Sequence, residues 1–207
     1  GSPNSEVPNR EPRVPAAMSE PTDSTDDDQP QHREVLIVGG GVAGLTAALY
    51  TARAGLDTLV YDGGESILRR NAHLENFPGF PAGVNPRLFA DMLHAQATRN
   101  GVDVVEGRIE ELRHAESDGG FFATAQDGDE VRADRVVAAS WADTDYLYPV
   151  EPEIRSAGSK EFLEDDEDGR TSVDGLYAAG RLAERYHQAV VAAGDGARTA
   201  LTLIHDS

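Results

Sequence analysis

The sequence predicts an α/β fold: a parallel sheet of about five strands, helices on both faces, and a small antiparallel meander packed alongside. Three observations predict it. Val35-Leu36-Ile37-Val38, Val136-Val137-Ala138-Ala139 and Leu176-Tyr177-Ala178-Ala179 are unalternated apolar runs of strand length, the pattern of strands buried on both faces. A glycine-rich turn and a helix of small residues separate the first run from a second strand, Asp57 to Asp62, completing one βαβ unit. Three short segments between residues 109 and 133 are split by Asp/Gly turns and read as antiparallel strands.

Taken in order, residues 1–33 are rich in Pro, Ser, Asp and Glu and are expected to be disordered. Gly1-Ser2 looks like a cleavage scar and Met18 like a natural start, so residues 1–17 read as vector-derived. The ordered domain is expected over 34–207. After the first strand comes a helix from Ala43 to Ala54, ended by Gly55. Pro86 to Asn100 reads as a second helix, with Leu88, Phe89, Met92, Leu93 and Ala97 near helical spacing and Gly101 beyond it. Val102–Val105 is the next strand, followed by the meander at 109–115, 120–125 and 130–133. Residues 143–172 read as charged and irregular, and their acidic run at 161–168 as a solvated loop. A last helix is expected from about Gln188 to Ile204.

The chain holds 37 acids and 18 bases, a formal charge of −19. Residues 34–207 carry most of it, so nucleic acid and anionic membranes are poor partners. Lys160 is the sole lysine. Many acids, arginine in place of lysine and a small-residue core suggest a halophilic protein, because salt screens self-repulsion. There is no cysteine, so the chain has no disulfide, thiolate metal site or Cys-x-x-Cys pair. It has no apolar run of the ~18 residues that span a bilayer and no signal-peptide pattern; a cytoplasmic location is expected.

The chemistry sits in Gly39-Gly40-Gly41-Val42-Ala43-Gly44. A G-x-G-x-x-G between a strand and a helix, with a second strand ending in an acid, is a dinucleotide-binding pattern. Gly39 allows the tight turn, Gly41 lets the backbone approach a pyrophosphate, and Gly44 lets the helix pack on the sheet. Free amides at the helix start, Val42 and Ala43, point at the anion. Asp62, 23 positions after Gly39, suits the adenosine ribose hydroxyls and disfavours a 2′-phosphate. The alternatives are a glycine turn that serves packing alone and a solvated Asp62.

Three segments in order resemble the thioredoxin-reductase-like branch of the FAD-dependent pyridine nucleotide-disulfide oxidoreductases. They are Val35 to Leu45 with its helix, Glu75-Asn76-Phe77-Pro78-Gly79-Phe80, and Thr171 to Gly180 continuing through His187-Gln188-Ala189 to Gly194. The resemblance implies a Rossmann-like domain with FAD as cofactor. It implies Gly39, Gly41 and Gly44 at the pyrophosphate, Asp62 at the ribose, and the backbone of Arg108 and Ile109 at the adenine. Asn76 would face the flavin ring, Gly180 would lie by the ribityl chain, and Gln188 and Ala189 would meet the pyrimidine edge, with His187 nearby.

The departures are as informative. The family inserts a second dinucleotide fold for NADPH between its two flavin segments, and about thirty residues fill that gap here. The cysteine pair is absent. Where the family has Gly-Asp, this chain has Gly180-Arg181, and arginine donates but cannot accept. No catalytic residue and no metal-ligand spacing is assigned; His73, His94, His114 and His187 form none, and Ser140 and Ser156 lack a nucleophile context. Trp141 and Tyr146 either cover the flavin face or cap the core.

The function expected is a one-domain FAD-binding flavoprotein that passes electrons from an unknown donor, another protein or a freely diffusing reductant, to an unknown acceptor. Homo-oligomerisation is expected. The alternatives are a non-catalytic flavin or nucleotide binder with a structural or sensing role, and a subunit completed by a partner chain.

Overall fold

The apolar run at 35–38 forms the buried half of strand β1 (Gln31–Val38). The computed structural model describes residues 30–207 apart from 65, 71, 117 and 118; residues 1–29 of the expected tail, including the segment read above as vector-derived, lie outside the described residues. β1 begins three residues before Glu34, because Gln31, His32 and Arg33 pair with Val131, Arg132 and Ala133.

Helix α1 (Val42–Arg53) follows, then β2 (Thr58–Asp62), α2 (Pro86–Arg99) and β3 (Asp103–Glu106). α2 starts where expected for a local reason. Asn85 Oδ1 accepts from the amides of Arg87 (2.9 Å) and Leu88 (3.4 Å), and Pro86 occupies the first helical position. The meander comprises β4 (Ile109–His114), β5 (Phe121–Ala125) and the first half of β6 (Glu130–Ala138). β9 (Leu176–Ala178) and α3 (Ala189–His205) complete the frame.

The parallel strands run β3-β2-β1-β6-β9, and β5 and β4 continue antiparallel from β6. The five parallel strands and the meander match the expectation. The two segments expected at 130–133 and 136–139 are one strand. Its first half pairs with β5 and its second half with β9, while β1 follows its whole length.

Alternation along each strand builds two cores. Val35, Ile37, Val60, Val137 and Tyr177 pack with Ala47, Ala97 and Leu203 of the three α-helices. Leu36, Leu59, Val136 and Leu176 face the other way, onto Leu112, Phe121 and Leu147. That second face is covered by the meander and a 3-10 turn, Asp145–Val150, rather than by an α-helix. Residues 143–172, expected to be irregular, contain this turn and a hairpin of β7 (Ile154–Ala157) and β8 (Lys160–Leu163).

α1 and α3 cross at backbone contact. A Cβ added to Gly196 would lie 2.1 Å from Ala43 O, so only glycine permits the approach.

The end of α3 is tied down by one carboxylate. Asp206 accepts from Arg170 Nε (2.8 Å), Arg170 Nη2 (3.0 Å) and the Tyr177 hydroxyl (3.1 Å). Hydrogen bonding to the Arg170 guanidinium, in first place, holds the Asp206 carboxyl down at about 2. A depressed carboxylate adds stability above its unfolded value of about 4 and loses it as pH falls through the folded value. Asp206→Asn should therefore be less stable than the parent at pH 6, with the gap closing between about pH 4 and pH 2. Urea titrations across that window would check this, and a gap independent of pH would refute it.

Candidate functional site

The glycine turn is built from backbone collisions avoided. Gly39, at φ 118°, donates its amide to Tyr61 O at 2.9 Å, which draws the turn towards β2. A Cβ at Gly39 would sit 2.4 Å from Ala139 O, and one at Gly44 would sit 1.9 Å from Gly39 O. A Cβ at Gly40 would lie 2.2 Å from Asp62 Cγ, so the loop rests against that carboxylate. Gly40 is a site constraint that the fingerprint spacing does not reveal.

Gly41 differs from its neighbours. Its φ of −80° and ψ of −173° suit any residue, and a Cβ there would meet no protein atom within 4 Å. Neither conformation nor packing requires glycine. It caps α1 without a side-chain hydrogen bond, so the first amides of the helix, at the buried Val42 and Ala43, find no side-chain acceptor. Such a start is an anion site in waiting.

A cleft of about 930 Å³ opens over this turn. Gly39, Gly41, Val42 and Ala43 line it, as do Asp62 and Ile109. Asn76, Gly180, Arg181, Gln188 and Ala189 line it from the other segments, with Arg108 and His187. Of the expected site residues only Gly44 stays out of the lining; its contact is with Gly39 beneath the turn. Asn76 and Gln188, 112 positions apart, are hydrogen-bonded, with Asn76 Nδ2 donating to Gln188 Oε1 at 2.6 Å. Asp62 Oδ1 accepts from the Gly64 amide at 2.9 Å.

Sequence reasoning missed the polar network behind Gly180. Asp195, on the first turns of α3 and 7% exposed, accepts from Gly180 N (2.6 Å), from Arg185 Nε (3.0 Å) and from Arg198. The carboxylate that meets this turn comes from α3, onto the Gly180 backbone amide beside Arg181. Arg185 also pairs with Asp165. Burial pushes the Asp165 carboxyl up to about 6 against the pull of Arg185.

The acidic run at 161–168 is therefore not simply a solvated loop. Glu161 accepts from Thr144 Oγ1 at 3.0 Å and from the Tyr148 hydroxyl, which holds its carboxyl below the usual range. Arg181 stacks on Phe162, its guanidinium carbon 4.9 Å from the ring centroid, and donates to Arg185 O at 3.3 Å.

Trp141 and Tyr146 divide the two roles expected of them. Tyr146 is buried, with its hydroxyl 3.0 Å from Ser140 Oγ, and burial pushes that hydroxyl above its ordinary value. Trp141 stands at the cleft at φ 64°, 41% exposed, edge-on to His187 at 4.6 Å between centroids. Among the described residues no group of His, Asp and Glu could hold a metal ion, and no helix is long and apolar enough to cross a membrane.

Comparison with known proteins follows this geometry. The pyridine nucleotide-disulphide oxidoreductase family matches residues 74–196, and an NAD(P)-binding Rossmann-like domain matches 37–101. The thioredoxin reductase of Streptomyces coelicolor is 45% identical over 76 residues, which are 35% of this chain and 24% of that protein. The Schizosaccharomyces pombe thioredoxin reductase is 30% identical over 125 residues, 56% of this chain and 39% of that protein. The chain thus spans well under half the length of these curated relatives. Among solved structures, a thioredoxin reductase from Gloeobacter violaceus superposes with a TM-score of 0.76 at 18% identity, covering 86% of this chain and 96% of that one. An oxidoreductase from Agrobacterium tumefaciens gives 0.76 at 16%, with 85% and 98% covered. At such identities the likeness is one of fold.

Proposed function

Because the chain belongs to the pyridine nucleotide-disulphide oxidoreductase family, which is FAD-dependent, we propose that it is a flavoprotein holding FAD in this cleft and passing electrons through it. Gly41 carries the reading: it is glycine with no protein atom to require it, beside helix amides without a side-chain acceptor. In this reading Gly39, Gly41 and the Val42 and Ala43 amides cradle the pyrophosphate, and Gly44 sets the helix over it. Asp62 accepts from the adenosine ribose, and the backbone at Ile109 meets the adenine. Asn76, Gln188 and Ala189 meet the flavin ring. Gly180 borders the ribityl chain with its amide already committed to Asp195, and Arg181, stacked on Phe162 and donating to Arg185 O, keeps further N–H donors for phosphate or ribityl oxygens. When bound, FAD supplies one- and two-electron redox chemistry.

With no cysteine, this chain supplies no dithiol relay. Between β6 and β9 it has a 3-10 turn and the β7–β8 hairpin, with no second glycine fingerprint. We read it as a single domain without its own nicotinamide site, served by another protein or a diffusing reductant, cytoplasmic, halophilic and homo-oligomeric.

Protein purified at high salt should be yellow, with near-stoichiometric flavin absorbance; colourless protein that takes up no added FAD would defeat the reading. Anaerobic NADH and NADPH should leave the colour unchanged on mixing, and rapid bleaching by either would locate a nicotinamide site in this chain. A second reading, a non-catalytic flavin sensor, is favoured by Arg181 where the family carries an acid. It predicts bound FAD that no reductant of physiological potential reduces.

A further inference from the structure

Beside the cleft lies a second cavity of about 530 Å³, lined by Trp141, Lys160, Arg181, Glu184, Tyr186 and His187. Four of these residues also line the main cleft, so the two spaces adjoin where α3 begins. The proposed function uses Arg181 alone among the six as a ligand contact, and the side cavity itself has no role in it.

Its chemistry is unusual for this protein. The chain carries a charge of −19, yet its sole lysine and Arg181 converge here. Among the described residues neither forms an ion pair with a carboxylate. The one acid in the lining, Glu184, is paired with Arg155, which neutralises its charge. The remaining lining is aromatic. Trp141 and His187 form an edge-to-face pair, and Tyr186 is 84% exposed. At that exposure the Tyr186 ring is open to a ligand beside the Trp141–His187 pair. Rings of this kind stack on planar ligands, while cations without a carboxylate partner attract an anionic group. The volume falls within the range of small-molecule sites.

We propose that this cavity binds a small planar anion, an aromatic carboxylate or sulfonate, at the mouth of the cofactor cleft. Trp141, Tyr186 and His187 hold its ring, and Lys160 and Arg181 hold its charge. As the subsite for a small redox partner it rests on the flavoprotein reading; as a binding site it does not.

Calorimetric titration of the full chain with 2-naphthalenesulfonate tests it, with the neutral 2-naphthalenesulfonamide as a size-matched control. The sulfonate should bind once per chain, and the sulfonamide and the Lys160→Glu variant should each show binding weaker by about tenfold or more. Lys160→Arg should restore the parent affinity. Equal binding of the two probes, or an unchanged constant in Lys160→Glu, would overturn the proposal. Repeating the titration after FAD loading separates the two spaces: retained binding supports an adjoining site, and displacement by FAD would overturn it. If the chain takes up no FAD, the flavoprotein reading fails while the titration of the free chain still decides this one.

Discussion

Gly41→Val is expected to weaken FAD binding a hundredfold or more while the protein stays folded. The backbone at Gly41 is in a region open to any residue, and an added Cβ meets no protein atom within 4 Å. The stability cost is confined to the poorer helix cap, about 1 kcal/mol. In the proposed reading the pyrophosphate approaches the turn beside the amides of Val42 and Ala43, and the valine side chain competes for that space. Losing two charge-assisted hydrogen bonds at about 1.5–3 kcal/mol each weakens binding by a hundredfold or more. Flavin fluorescence titration beside a thermal melt of the cofactor-free variant reads both effects. A variant that binds FAD as the parent does would remove the pyrophosphate from this turn. A variant that fails to fold would make Gly41 structural.

The opposite pattern is expected at Gly196 and Gly44. A Cβ at Gly196 would lie 2.1 Å from Ala43 O, and one at Gly44 would lie 1.9 Å from Gly39 O. Both obstacles are backbone, so helix α1 must shift to admit a methyl group. Gly196→Ala and Gly44→Ala should each destabilise by about 3 kcal/mol, the upper end for overpacking. Gly194→Ala, two residues away on α3, has open space around it and should gain about 0.5–1 kcal/mol from helix propensity. Urea titrations of the three variants decide the matter. A Gly196→Ala protein as stable as Gly194→Ala would mean that α1 and α3 do not approach at backbone distance.

What the sequence made legible was local. Val35–Val38, the glycine turn and Asn85-Pro86 carry their structural reasons within a few residues, and those elements stand where expected. β6 was split in two because its pattern changes midway. Val131 and Ala133 alternate with more exposed neighbours beside β5, whereas Val136–Ala138 are buried in succession beside β9. The β7–β8 hairpin is masked by an acidic stretch whose partners lie elsewhere: Glu161 within β8 is held by Thr144 and Tyr148, and Asp165 just beyond it by Arg185. Asp195 escaped notice for the same reason. Its contact with Gly180 depends on how α3 returns to the sheet, which spacing cannot show.

The long partnership of β1 and β6 sets an order of events during synthesis. Val38 pairs with Ala138, a hundred positions later, and with Tyr61 only 23 later. Contacts so remote in sequence form late. The unit from β1 to β3 can assemble early, but one edge of β1 then stands bare until β6 emerges. Val35 to Val38, apolar and unprotected along that edge, is a template for wrong pairing between nascent chains. Slowing translation between residues 62 and 138 should therefore lower the yield of native protein more than an equal pause after residue 138.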